Sequence, residues 1–152
     1  KDHKNTNRGL PLLSQVFEDT GKEVLLIIDV KTKNVWDIYP AIKIVKLIKK
    51  FKRKNSVIVS SFNPLIVFFI KWMDPKILTG LIIQNQSYLR LTNVIHPDFL
   101  HLRGDIINDN VVSYAKKKNI PINSWTINNA VAWRWLQKKG VSGVITDENP
   151  FN

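Results

Sequence analysis

The chain has no cysteine in its 152 residues, which excludes disulfide staples and thiolate metal sites and leaves the redox compartment undecided. It also lacks an apolar run of bilayer length. The densest, Pro64–Met73, falls far short of the roughly 20 residues that a spanning helix takes. No signal-peptide pattern, glycine-rich phosphate loop, nucleophile elbow, heptad array or low-complexity tract is visible. Acid is scarce: 12 Asp and Glu stand against 23 Lys and Arg, a formal charge of +11. Such a charge would suit a nucleic acid or an anionic membrane. Much of it, however, lies in Lys46–Lys54 and Lys116–Lys118, which read as outer faces or ends of helices, where cations also complement the macrodipole. These lysines and arginines are expected to be solvated, and no nucleic-acid partner is expected. What is present argues for a folded chain: hydrophobic residues make up 44%, with five Trp, and the length suffices for one domain with a sizeable core.

Strand and helix signals alternate. Glu23–Lys31 is rich in aliphatic and β-branched residues and reads as a buried strand. Asp37 can cap the following helix, with Pro40 tolerated in its first turn. In that helix Ile38, Ala41, Ile42, Val45, Ile48 and Phe51 recur at helical spacing while lysines fill the other side. Ser56–Phe62 is the next strand, and Asn63 followed by Pro64 is a cap plus first-turn proline. Ile77–Ile83, Asp98–Leu102, Pro121–Ile127 and Val141–Thr146 continue the series. Repeated β-α alternation implies a parallel sheet with right-handed crossovers. The strands are apolar nearly throughout, as expected when both faces are covered. Polar residues gather at their C-terminal ends: Asp29 and Lys31, Ser60 and Ser61, Gln84 and Asn85, Trp125 with Asn128, then Asp147. In parallel α/β folds that is the end where ligands bind.

Four segments resemble glycerophosphodiester phosphodiesterases. "INSWTINN" (Ile122–Asn129), followed by a helix and "GVSGVITDENP" (Gly140–Pro150), is similar to the family's last two strands. "GLPLLSQVFE" (Gly9–Glu18) resembles the segment before its third strand, "LLIIDVK" (Leu25–Lys31) that strand itself, and "VIVSSFNP" (Val57–Pro64) the fourth. The resemblance implies an α/β fold, a partial (β/α)8 barrel corresponding roughly to strands three to eight. It implies hydrolysis of a glycerophosphodiester to an alcohol and glycerol 3-phosphate, with a divalent cation, calcium or magnesium, as cofactor. A hard cation with oxygen ligands neutralises and polarises a phosphate.

The family's first catalytic histidine, its strand-two carboxylates and its second histidine have no counterpart in the sequence, and Asn7–Gly9 is not the family's His-Arg-Gly segment. Residues 1–152 therefore read as the C-terminal part of such a domain, inactive alone. Carried over position by position, Asp29 matches a metal ligand and Lys31 a lysine that meets a phosphate oxygen. Phe62, preceded by Ser61, matches a pocket wall, and Trp125 the tryptophan set against glycerol. Each has a plainer alternative: a strand-end acid, a solvated loop lysine, and two packing aromatics. Asp147 is expected to order its own loop. His3, His96 and His101 match no catalytic position and are expected to be core or surface residues, and Trp133 and Trp135 to seal their helix against the barrel. A non-enzymatic remnant, or a basic module binding nucleic acid or a membrane surface, is the alternative function. The partners implied are a small diester, a membrane surface, and a second copy of the chain joined through unpaired strand edges.

Overall fold

The computed structural model describes residues 9–148; His3, Asn7, Arg8 and Pro150, named above, lie outside the described residues. In chain order the elements are α1 (Leu13–Asp19), β1 (Leu26–Asp29), α2 (Tyr39–Lys50), β2 (Val57–Ser61), α3 (Pro64–Met73) and β3 (Leu78–Ile83). A 3-10 turn (Gln86–Leu91) leads into α4 (Thr92–Ile95), then β4 (Phe99–Arg103), a second 3-10 turn (Gly104–Ile106) and α5 (Asp109–Lys117). Then come β5 (Ile122–Trp125), α6 (Ala130–Lys139) and the short β6 (Gly143–Val144). All six strands are parallel and lie in sequence order, β1 to β6. This is the partial (β/α)8 barrel expected from the sequence.

Each strand sends alternate side chains to opposite faces. One face packs against the helices. Val57 and Val59 join Ile44, Val45, Ile48, Ile66 and Ile70 in one apolar cluster. Leu81, Ile83, Leu100, Leu102 and Ile122 join Val111, Ala115 and Leu136 in the other. Full burial of such a side chain contributes about 1.5–3 kcal/mol, so these clusters hold the helices on the sheet. The inner face carries Ser60, Gly80, His101 and Asn123. It is not covered along its whole length: Ile27 of β1 is 46% exposed and Leu25 just before it 55%, so the expectation of strands buried on both faces fails at β1.

Three of the longer helices start on a capping side chain. Asn63, Asn108 and Asn129 accept hydrogen bonds from first-turn amides of α3, α5 and α6. Asp37 does not cap α2. That helix begins after Ile38, whose own conformation is already helical, with Pro40 in the first turn, so the position a capping side chain would use is taken by backbone. Gly140 ends α6 at φ 98°, a left-handed cap that glycine adopts without steric cost. The basic run after α2 contains a second departure. Lys46, Lys49, Lys50 and Lys52 are exposed, but Arg53 is 1% exposed. Its guanidinium donates to the carbonyls of Phe17 (2.6 Å), Gly21 (2.7 Å) and Thr20, and stacks over the Phe17 ring. A cation is tolerated there because it satisfies the carbonyls left free at the end of α1.

Candidate functional site

The C-terminal ends of β1, β2, β4 and β5 bring the candidate residues to one rim. On β1 and just beyond it, Asp29 and Lys31 point the same way, as a two-residue spacing in extended chain requires. Lys31 Nζ lies 3.7 Å from Asp29 Oδ2, and the two side chains are 82% and 40% exposed, so the pair is solvent-screened. Phe62 follows β2 and Trp125 ends β5. Their rings meet edge to face, centroids 5.7 Å apart and planes at 87°. These strands are not neighbours, so the contact spans the mouth over β3 and β4. The Trp125 indole is fixed in turn, Nε1 donating to the His101 carbonyl at 2.9 Å.

The loop carrying Lys31 is clamped to the start of α3. Ser61 Oγ donates to the Val30 carbonyl at 2.6 Å. The Asn63 amide donates to Thr32 Oγ1 and the Val35 carbonyl, both at 3.0 Å, while its oxygen caps α3. Behind this loop opens a cavity of about 720 Å³, with Lys31, Phe62, Leu81, Ile83, Gln84 and Tyr88 in its wall.

Beneath the rim runs a polar belt. His101 is 1% exposed, with Ser60 Oγ 3.2 Å from Nδ1 and Asn123 Nδ2 3.4 Å from Nε2. Burial lowers the His101 pKa to about 4, because desolvation disfavours the charged ring. Gly80 makes the belt sterically feasible: a Cβ there would lie 2.7 Å from Ser60 Oγ and 2.9 Å from the imidazole. The expectation that His101 is a core residue holds, and its neutral, enclosed ring is not at the rim. His96, at φ 51° after α4, is remote from these groups in the fold.

The sequence reading missed Arg103, which ends β4 opposite Trp125. It is exposed and held by a bidentate pair to Asp105, 2.6 and 2.8 Å. Each partner favours the other's charged form, so the arginine pKa is raised and the Asp105 pKa lowered. Its alternation with Phe99 and His101 along one strand was the available signal. Trp135 is 49% exposed under Lys139 rather than sealed against the barrel. It lies on the outward side of α6, whereas Trp133 packs on the core. The last turn is ordered through Asn128, which accepts from Thr146 Oγ1 and from the Asp147 amide, both at 3.0 Å; the backbone of Asp147 makes this bond.

As for metals, Asp29 supplies one carboxylate. Among the described residues no group of three or more His, Cys, Asp or Glu could hold an ion. A hard divalent cation takes about six oxygens, so the donor set here does not by itself fit a complete centre.

The family model described as "Glycerophosphoryl diester phosphodiesterase family" matches residues 1–149, a family generally dependent on a divalent cation. A glycerophosphodiester phosphodiesterase of Caldanaerobacter subterraneus subsp. tengcongensis is 29% identical over 149 residues, covering 91% of this chain and 58% of the relative. A glycerophosphodiester phosphodiesterase structure from Parabacteroides distasonis superposes at TM-score 0.78 with 17% identity, over 90% of this chain and 60% of the other. An Oleispira antarctica phosphodiesterase, solved in complex with the product sn-glycerol-3-phosphate, superposes at TM-score 0.72 with 19% identity, over 81% of this chain and 51% of that one. The chain thus spans between half and two thirds of the length of these relatives.

Proposed function

We propose, from the premise that this chain belongs to the glycerophosphoryl diester phosphodiesterase family, that the protein of which it forms part or all hydrolyses glycerophosphodiesters to an alcohol and glycerol 3-phosphate. In that reaction a water oxygen bonds to phosphorus, the bond from phosphorus to the alcohol oxygen breaks, and that oxygen takes up a proton. The observation that carries the reading is the aromatic pair Phe62 and Trp125 across the mouth, set beside the Asp29–Lys31 pair. Rigid rings offer apolar faces to the carbon backbone of glycerol. The Lys31 ammonium meets a phosphate oxygen, and Asp29 is one oxygen ligand of the divalent cation, calcium or magnesium. When bound, that cation supplies charge neutralisation at the phosphate. The bound product in the Oleispira antarctica phosphodiesterase supports a small substrate of this chemistry.

The 152 residues by themselves are expected to be inactive. His101 is enclosed and Asp29 is one ligand of the several required. A membrane surface is a second partner compatible with the charge of +11. A second copy of the chain is a third, because among the described residues the outer edge of β1 and the two-residue β6 have no neighbouring strand on one side, which leaves backbone groups open to pairing. Sedimentation of a dilute sample tests the last point, and a single monomeric species would refute it.

Activity is tested by joining the first two β-α units of a related enzyme to this chain. Metal-dependent release of glycerol 3-phosphate from glycerophosphocholine or glycerophosphoethanolamine is the expected result. Lys31→Ala should then lower kcat/KM on the order of 10- to 100-fold, the worth of one charge-assisted bond, while Lys50→Ala on the outer face of α2 should not. Asp29→Asn should move the metal titration to much higher concentration with the circular dichroism spectrum unchanged. Equal effects of the two lysine changes, or an unmoved titration, would return Lys31 and Asp29 to ordinary surface roles.

A further inference from the structure

The loop between β1 and α2 has a feature that a small-molecule hydrolase does not require. Trp36 is 80% exposed, Tyr39 59% and Val35 44%, yet the loop that presents them is tied down. Trp36 N donates to Asn34 Oδ1 at 3.0 Å, and the Val35 carbonyl is held by Asn63. The ordered loop therefore holds Trp36 out in water, and the first residue of α2 holds Tyr39 out beside it. Lysines surround them: Lys33 is exposed, and Lys43 Nζ sits 4.5 Å from the centre of the Tyr39 ring. From Lys31 to Lys43 there are three lysines and one acid, Asp37. By topology this loop follows the C-terminal end of a strand, so it stands on the same rim as Lys31 and the cavity.

We propose that this loop docks the protein on an anionic phospholipid surface, with Trp36 and Tyr39 seated at headgroup level and Lys33 and Lys43 facing the lipid phosphates. Trp and Tyr are enriched at membrane interfaces because each joins an apolar body to a polar tip. Lysines near such a surface add to the attraction. A protein partner fits less well, since the cores of protein interfaces are depleted of lysine. The charge of +11 complements an anionic surface. Docking here would turn the mouth that holds Lys31 and Phe62 toward the lipid layer, where diesters released from phospholipids arise.

The test is co-flotation of the full chain with vesicles, compared between pure phosphatidylcholine and phosphatidylcholine containing roughly 30 mol% phosphatidylserine. Binding to the anionic vesicles is expected, weakening as salt rises from about 0.1 to about 0.5 M. Trp36→Ser with Tyr39→Ser should weaken it on the order of tenfold or more. Lys33→Gln with Lys43→Gln should weaken it roughly 25-fold, about fivefold per lysine. Trp72→Ser is the control. That residue is 73% exposed but lies at the C-terminal end of α3, toward the opposite rim, and its loss should leave binding intact. Circular dichroism melts check that each variant is folded. No binding to anionic vesicles, or equal binding by wild type and the folded Trp36/Tyr39 variant, would overturn the proposal and assign the patch to another macromolecule. Because vesicle binding is read without turnover, its outcome is independent of whether diesters are hydrolysed.

Discussion

Acidifying the protein from about pH 7 to about pH 5 loads a proton onto His101 in the unfolded chain but not in the folded one. The folded pKa is lowered to about 4 from the ordinary 6.5. Between those values the unfolded state binds more protons, so stability rises with pH. The contribution is fully present above the ordinary value and is lost as pH falls toward the folded one. Linkage gives a loss of about 2 kcal/mol at pH 5 and about 3 kcal/mol at pH 4, relative to neutral pH. The groups against the ring, Ser60, Asn123, Gly80 and Phe99, carry no charge to offset this. Urea midpoints at the two pH values, for wild type and His101→Gln, measure it. The wild type should lose about 2 kcal/mol more than the variant on going to pH 5. Carboxylates cancel in that difference. Asp74, held low by its hydrogen bond from Lys54, and Asp105, held low by Arg103, lose their contributions only at lower pH. Equal losses in the two proteins would refute the reasoning. If the variant does not fold, the His101 ring resonances of the wild type should still titrate near pH 4 and not near pH 6.5.

Other substitutions have equally direct readings. Gly80→Ala should cost about 1–3 kcal/mol by urea melt, since its Cβ would press on Ser60 and His101, and Ser60→Gly in the same chain should recover part of that. Arg53→Met should cost about 2–3 kcal/mol, because the Phe17 and Thr20 carbonyls lose the guanidinium and Gly21 keeps only its bond from the Val24 amide; a stability within error of wild type would contradict the role given to the guanidinium. Asn63→Ser retains a helix cap but not the amide that holds Thr32 and Val35. It should cost about 1 kcal/mol, and amide exchange should quicken in residues 32–36 if the clamp is what orders them.

The order and direction of the six strands were legible because burial leaves runs of aliphatic residues, and such runs survive in a linear reading. The apolar runs outreach the ladders at most ends, by up to three residues in the first strand, and stop one residue short at Arg103 in β4, since apolar residues continue into loops after ladder bonding stops. Asp29 and Lys31 could be placed together because they are two residues apart on one strand. The contact between Phe62 and Trp125 depends on how far the sheet curls, which no local pattern encodes. The same holds for the belt, whose serine and histidine are 41 residues apart. Arg53 was hidden for another reason: a charge within a basic run looks solvated until the carbonyls it serves are known. Asp37 had the chemistry of a cap, but the backbone turn at Ile38 occupied its place.

The strictly sequential strand order bears on how the molecule is assembled as well as on its shape. Every ladder joins segments roughly 20 to 30 residues apart, so each closure carries a similar and modest entropic cost. No strand must wait for a distant one before it can pair. Folding can begin at any adjacent pair and extend outward one crossover at a time, with the belt and the aromatic contact forming only after three or four neighbouring strands are in place. The contact between Phe62 and Trp125 is therefore expected to form late, whereas the Lys31 loop, clamped by Ser61 and Asn63, needs only the first two strands and the start of α3. A protease acting during refolding should find the loop after β5 open for longer than the one after β1.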